Sequence, residues 1–196
     1  MDVTVQAVIF DFDGTLTVPI LDFDEIRSEI GLGPGPILEA LVEVDDAFRT
    51  RALSIIAQHE RRAAEMAQLR DDALAVLETI SDSGIPTAIL TRNAREHVTK
   101  VMEKFGITVA ALRTREDCDV KPSPDGVFSI CDALRVDPRH CWMVGDYRFD
   151  IEAGNRAGAV TALLTDDDPL PAYAEDADHV IRELPELLPL LSLERR

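Results

Sequence analysis

Two hydrophobic rhythms alternate along the chain. From Val5 to Phe10 the residues are almost all apolar or β-branched, and the run ends in Asp11-Phe12-Asp13. So short and so apolar a run predicts a strand buried on both faces of a parallel sheet, with carboxylates at its C-terminal tip. Three later runs share that character. Pro86 to Leu90 ends in Thr91-Arg92-Asn93, Cys141 to Val144 ends in Gly145-Asp146, and Val160 to Leu164 ends in Thr165. Helical spacing fills the intervals. Leu74, Leu77 and Ile80 share a face before Gly84, and Val98, Val101, Met102 and Phe105 share one before Gly106. Ser123-Pro124 offers an N-cap and a first-position proline for a helix through Val127, Phe128, Cys131 and Leu134. Glu183 to Leu191 reads as a short closing helix. Strand alternating with helix predicts an α/β domain in which helices cover both faces of a parallel sheet, and in such sheets ligands sit at the carboxyl ends of the strands.

Thr17 to Leu69 breaks the rhythm, because it holds helical patterns and no convincing strand. Asp22 to Ile30 predicts a short helix and Gly31 to Pro36 a turn. Ile37 to Leu69 predicts further helix with a break near Asp45. The expected organisation is therefore a discontinuous core, 1–16 and 70–196, with a small all-helical insert, 17–69, placed directly after the first strand.

Length and charge narrow the function classes. A chain of 196 residues is ample for one core with an insert. Its three cysteines, Cys118, Cys131 and Cys141, have no framework spacing and no CxxC pair, which argues against a disulfide scaffold or a zinc site. A formal net charge of −17 would repel nucleic acid and anionic membrane, so neither is an expected partner. Met1 to Gln6 shows no basic region leading into a long apolar stretch, and no run approaches bilayer-spanning length. A cytoplasmic setting with reduced thiols is the expectation.

The chemistry concentrates at the strand tips. Asp11 and Asp13, two apart in an extended segment, would point to the same side. Gly14 then allows a sharp departure and a close backbone approach to a ligand. Crowded carboxylates need a cation, a shared proton or a hydrogen-bond network. Taken alone, this pair reads equally well as an acidic loop capping the next helix. Three further features supply what phosphoryl transfer requires. Asp146 and Asp150, four apart after another strand, offer oxygen ligands suited to Mg²⁺. Thr91, Arg92 and Asn93 place a hydroxyl and backbone amides at a helix N-terminus, where phosphate oxygens bind, although a strand-tip threonine also serves as a plain cap. Lys121, flanked by prolines in Lys121-Pro122-Ser123-Pro124, offers a point charge, or else a solvated one.

In order and context these motifs resemble the haloacid dehalogenase (HAD) superfamily over essentially the whole chain. Asp11-Phe12-Asp13-Gly14-Thr15 matches the first motif, Thr91 the second, Lys121 the third, and Gly145-Asp146 with Asp150 the fourth. The insert resembles the helical cap of the phosphoglycolate-phosphatase-like branch. The resemblance implies a Rossmann-like core and a Mg²⁺-dependent phosphatase acting on a small phosphorylated substrate through an aspartyl-phosphate. It makes Asp11 the nucleophile and Asp13 the general acid and base. Asp11, Asp146 and the Asp13 backbone carbonyl would ligate the metal, with Asp150 holding a metal-bound water or orienting Lys121. Thr91 and Lys121, helped by Gly14, Thr15, Arg92 and Asn93, would hold the phosphoryl group. Asp13 disfavours the family's dehalogenases. With no lysine from Thr17 to Leu69, Schiff-base phosphonate chemistry is disfavoured as well. A phosphosugar mutase, or a catalytically weak binding or regulatory module on the same scaffold, remains an alternative. Tyr147 and Arg148 depart from the small hydroxylated residue frequent after the fourth-motif aspartate. Phe23, Arg27, Arg51, His59 and Arg62 are the insert residues that could select a substrate.

Overall fold

A computed structural model describes residues 5–193; residues 1–4 and 194–196 of the expected core, including most of the segment searched for a leader, lie outside the described residues. Six strands form one sheet: β1 (Ala7–Phe10), β2 (Thr87–Leu90), β3 (Ala111–Arg113), β4 (Cys141–Gly145), β5 (Val160–Leu164) and β6 (His179–Ile181). All adjacent pairs are parallel, in the order β3-β2-β1-β4-β5-β6. The helices are α1 (Phe23–Ile30), α2 (Ile37–Ala40), α3 (Asp46–Met66), α4 (Ala73–Asp82), α5 (Arg95–Phe105), α6 (Asp125–Leu134), α7 (Arg148–Ala157) and α8 (Leu187–Leu190).

The apolar run of β1 is uniformly apolar because helices cover both faces of the sheet, and all four of its residues are fully buried. Alternate residues sort by face. Ala7 and Ile9 join Ala88, Leu90, Cys141 and Met143 in a cluster completed by Val127, Ile130 and Cys131 of α6. From β1 the sheet grows towards β2 and β3 on one side and towards β4, β5 and β6 on the other. The strand order thus reverses between β1 and β4, which opens a crevice at their carboxyl ends.

The chain divides into two compact units, one of residues 1–19 with 68–196, the other Ile20–Ala67. The second unit is helical, with a core of its own from Ile26, Ile30, Ile37, Leu41, Ala52 and Ile56. Asp22 caps α1 through hydrogen bonds from the Asp24 and Glu25 amides, and Gly31 ends it with φ +88°. The expected break at Asp45 is the N-cap of α3, whose carboxylate accepts from the Phe48 amide at 2.8 Å. Arg49 spans this joint, donating to the carbonyls of Leu41, Val42 and Val44.

Several expectations need correction. Two short edge strands, β3 and β6, escaped the pattern because each is three residues long and only partly buried. Pro124 is the N-cap of α6 rather than its first residue, while Ser123 Oγ still accepts from the Asp125 amide at 3.3 Å. The closing segment is a 3₁₀ turn, Leu184–Glu186, running into α8. All three cysteines are free, as expected, with Cys131 and Cys141 buried. No helix of the described residues is long and apolar enough to cross a membrane.

Candidate active site

The carboxyl end of β1 carries Asp11, whose amide donates to the Val144 carbonyl at 2.8 Å and so ties the tips of β1 and β4 together. The chain then turns at Gly14, where φ is +84° and a Cβ would lie 2.3 Å from Asp146 Oδ2. Only glycine permits that approach. Thr15, fully buried, donates to Asp146 Oδ1 at 3.0 Å, so the loop after β1 grips the tip of β4. Gly145 has a matching role, since a Cβ there would lie 2.2 Å from Asp150 Cγ. Asp150, in the first turn of α7, accepts from the Tyr147 amide at 3.0 Å.

Lys121 reaches this cluster from the loop before α6. Its ammonium donates to Asp11 Oδ1 at 2.5 Å and to Asp150 Oδ1 at 2.6 Å, and its side chain is 2 % exposed. Asp11, Asp146 and Asp150 each offer one oxygen, all within 4.8 Å of one another. With all three carboxylates ionised, one ammonium leaves the cluster two negative charges in excess. The acidities follow. Burial, with the repulsion of Asp150 and Asp146, holds the Asp11 carboxyl well above the usual carboxylate range despite Lys121. Burial and Asp150 push Asp146 up to about 6. For Lys121 burial acts downwards, but the two aspartates outweigh it and raise the ammonium's pKa. An oxygen-ligand set with a surplus of two charges fits a hard divalent cation.

A family model for haloacid dehalogenase-like hydrolase matches residues 5–158. The chain belongs to the haloacid dehalogenase-like hydrolases. This hydrolase is 30% identical, over 81% of its length and 70% of the relative's, to a haloacid dehalogenase-like hydrolase domain-containing protein of Arabidopsis thaliana. It is 26% identical to the N-acetylmuramic acid 6-phosphate phosphatase of Pseudomonas putida, over 81% of this chain and 82% of that one. Its fold is similar to the crystal structure of a hydrolase from Pseudomonas syringae, with TM-score 0.80 and 20% identity, covering 95% of this chain and 98% of that one.

Within the hydrolase core the expected site residues take distinct places. Asp11, Lys121, Asp146 and Asp150 converge. The Asp13 carboxylate lies outside their oxygen cluster, accepting from Thr17 Oγ1 at 3.1 Å and from the Asn93 side-chain amide. Burial holds the Asp13 carboxyl above the usual carboxylate range, although the hydrogen bonds from Asn93 and Thr17 oppose it. Thr91 is buried at the tip of β2, and its hydroxyl accepts from the Asn93 amide at 3.2 Å. Arg92 turns its guanidinium to the Lys121 carbonyl and to the Phe149 ring, 4.6 Å from the centroid. Sequence reasoning missed Thr17, which supports Asp13, and Arg70, which donates from Nε to the Gly14 carbonyl at 2.7 Å. Thr17 stands four residues from Asp13, a spacing that could have flagged it. Arg70 carries no local signal, since its contact depends on the chain returning beside the first motif.

Proposed function

We propose that this hydrolase is a Mg²⁺-dependent phosphatase of a small organic phosphate monoester, working through an aspartyl-phosphate. The observation that carries this reading is the Lys121 ammonium held between Asp11 and Asp150 while Asp146 crowds them from the next strand tip. The relative named for N-acetylmuramic acid 6-phosphate supports the phosphomonoester class. In the proposed reaction an Asp11 oxygen attacks phosphorus in line, the phosphorus–oxygen bond to the leaving group breaks, and Asp13 delivers a proton to the departing oxygen. Water then attacks the acyl phosphate, Asp13 takes back a proton, and Asp11 is regenerated as orthophosphate forms. Asn93 and Thr17 fix the Asp13 carboxyl in place for both transfers. Lys121, the Thr91 hydroxyl and backbone amides after Asp11 and Thr91 stabilise the charge on the transferring group. Asp11, Asp146 and Asp150, with the Asp13 backbone carbonyl, would hold Mg²⁺, which neutralises the carboxylates and the phosphoryl oxygens when bound.

Steady-state turnover of p-nitrophenyl phosphate with and without Mg²⁺ tests the reading. Wild-type protein should require the metal. Asp11→Asn, with a native circular dichroism spectrum, should lose roughly 10³-fold or more in kcat. Retained activity in that variant would remove Asp11 from the role of nucleophile.

A further inference from the structure

Arg148, in the first turn of α7 between Asp146 and Asp150, has no part in the phosphoryl chemistry. Among the described residues its guanidinium makes no hydrogen bond or ion pair. It rests instead on aromatic faces, 5.0 Å from the Phe149 centroid and 5.8 Å from that of Tyr147. A cation seated on rings keeps its N–H edges turned outward, able to take a carboxylate or phosphate in a bidentate grip.

Topology places this group at the lip of the site. Arg92 follows β2 and Phe149 follows β4, and those strands flank β1 on opposite sides. The contact between Arg92 and Phe149 therefore passes across the carboxyl end of β1, where Asp11 emerges. Arg92 also donates to the carbonyl of Lys121, whose ammonium touches Asp11. Tyr147, 46 % exposed, stands edge-on to Phe149 at 5.1 Å and to Tyr173 at 5.7 Å. The Tyr173 hydroxyl is raised first by burial and Tyr147, then by the nearby charges of Asp146, Asp167 and Asp150. The lip is thus a wall of aromatic rings carrying an outward-facing cation next to the carboxylate cluster.

In the helical insert, by contrast, three of the four basic residues among the expected selectors are already engaged, and only the exposed Arg62 is not, among the described residues. Arg27 bonds to Asp24 and to the Gly35 carbonyl, Arg51 to the Ile30 carbonyl, and His59 to Glu29 at 2.7 Å. A chain with net charge −17 gains little from a solvated arginine as such but repels polyanionic substrates, and an unpaired cation at the lip reverses that locally.

We propose that Arg148, set over Tyr147 and Phe149, is the specificity-determining cation of a leaving-group subsite, which selects esters whose departing group bears a second anion, either a carboxylate or a further phosphate. The proposal rests on the phosphatase reading above. It is tested by measuring kcat/KM, with Mg²⁺, for phosphoglycolate, the bisphosphate of ethylene glycol, ethyl phosphate and phosphoethanolamine. Wild-type protein should favour the first two over ethyl phosphate. Arg148→Ala should lower that anionic-to-neutral ratio about tenfold or more, chiefly through KM, since a charge-assisted hydrogen bond to an anion is lost. Arg148→Lys should retain part of the ratio. Arg148→Glu should lower it further and raise the relative use of phosphoethanolamine. The anionic ester that loses more identifies which anion the subsite takes. Arg148→Gln replaces the alanine variant if the latter loses its native circular dichroism. Esters hydrolysed with a ratio unmoved by both alanine (or glutamine) and glutamate would overturn the subsite and leave the phosphatase reading standing. No hydrolysis of any ester by wild-type protein would overturn that reading, and the subsite with it.

Discussion

Charge is handled differently in the helical unit Ile20–Ala67 and at the carboxyl edge of the sheet. In the helical unit two ion pairs form within one turn, Arg27 with Asp24, and Arg49 with Asp46 at 2.8 Å, the aspartates standing 90% and 97% exposed, while His59 meets Glu29 from 30 residues away. The two arginine–aspartate pairs are screened by water and contribute little to stability. At the sheet edge Lys121 meets Asp11, 110 residues away, and Asp150, 29 residues away, with Lys121 and Asp150 both 2% exposed. Removing those groups from water costs several kcal/mol each, roughly, and only accurate geometry offsets it. An arrangement that expensive gives the fold no advantage an apolar cluster would not. Such a cluster is suited to chemistry, whereas the two exposed arginine–aspartate pairs of the helical unit add little beyond solubility.

The strongest way to test this contrast is to remove the central cation. Lys121→Met leaves Asp11 and Asp150 buried together without a counter-charge, and should cost about 3–5 kcal/mol in urea unfolding of the metal-free protein. A loss under about 1 kcal/mol would show that water already screens the cluster. A smaller effect of another kind should follow Ile30→Ala. It empties the apolar core of the helical unit, for about 2–4 kcal/mol, and hydrogen exchange should accelerate in α1 and α3 while β1 and β4 remain protected. Equal acceleration in the sheet would mean that the two regions unfold as one. Asp117 supplies an intermediate case and the smallest effect. Its Oδ2 accepts from the Thr114 amide and hydroxyl at 2.7 Å each and from Arg95 at 2.5 Å. Partial burial acts to raise this carboxyl, but those hydrogen bonds outweigh it and hold it below the usual carboxylate range. Because the folded-state value is depressed, the stabilisation is present above the unfolded carboxylate's pKa of about 3.9 and fades as pH falls through the folded value. Asp117→Asn should therefore cost about 1 kcal/mol at neutral pH, with the gap to wild type closing in acid. A gap that persisted at low pH would assign the contribution to packing instead.

How much of this was legible in the sequence depended on range. Strands β1, β2, β4 and β5 are buried on both faces, so their composition announces them, and the capping residues Asp22 and Asp45 mark helix starts by local chemistry alone. Edge strands β3 and β6 have one neighbour each and carry no comparable apolar run. At the site, strand tips drew attention to Asp11, Thr91 and Asp146, the i, i+4 spacing from Asp146 drew it to Asp150, and the flanking prolines with the family resemblance drew it to Lys121. Their partners were harder to read. The side-chain contacts of Asn93 with Asp13 and of Arg92 with the Lys121 carbonyl carried no local signal. Such choices depend on which strand lies beside which, and pattern within a segment does not encode that.

The two places where the chain leaves and re-enters the sheet-bearing unit are stitched to each other. Thr17 bridges Leu69 antiparallel, the Val18 amide donates to the Gln68 carbonyl at 2.9 Å, and the Arg70 amide donates to the Leu16 carbonyl at 3.0 Å. This clasp fixes the distance between exit and return whatever lies between them. Closing a longer loop across a fixed gap costs only about 0.6 kcal/mol per doubling of its length. Exchanging Ile20–Ala67 for a segment of another length should therefore leave the first motif in its register against β4 at little cost in loop closure.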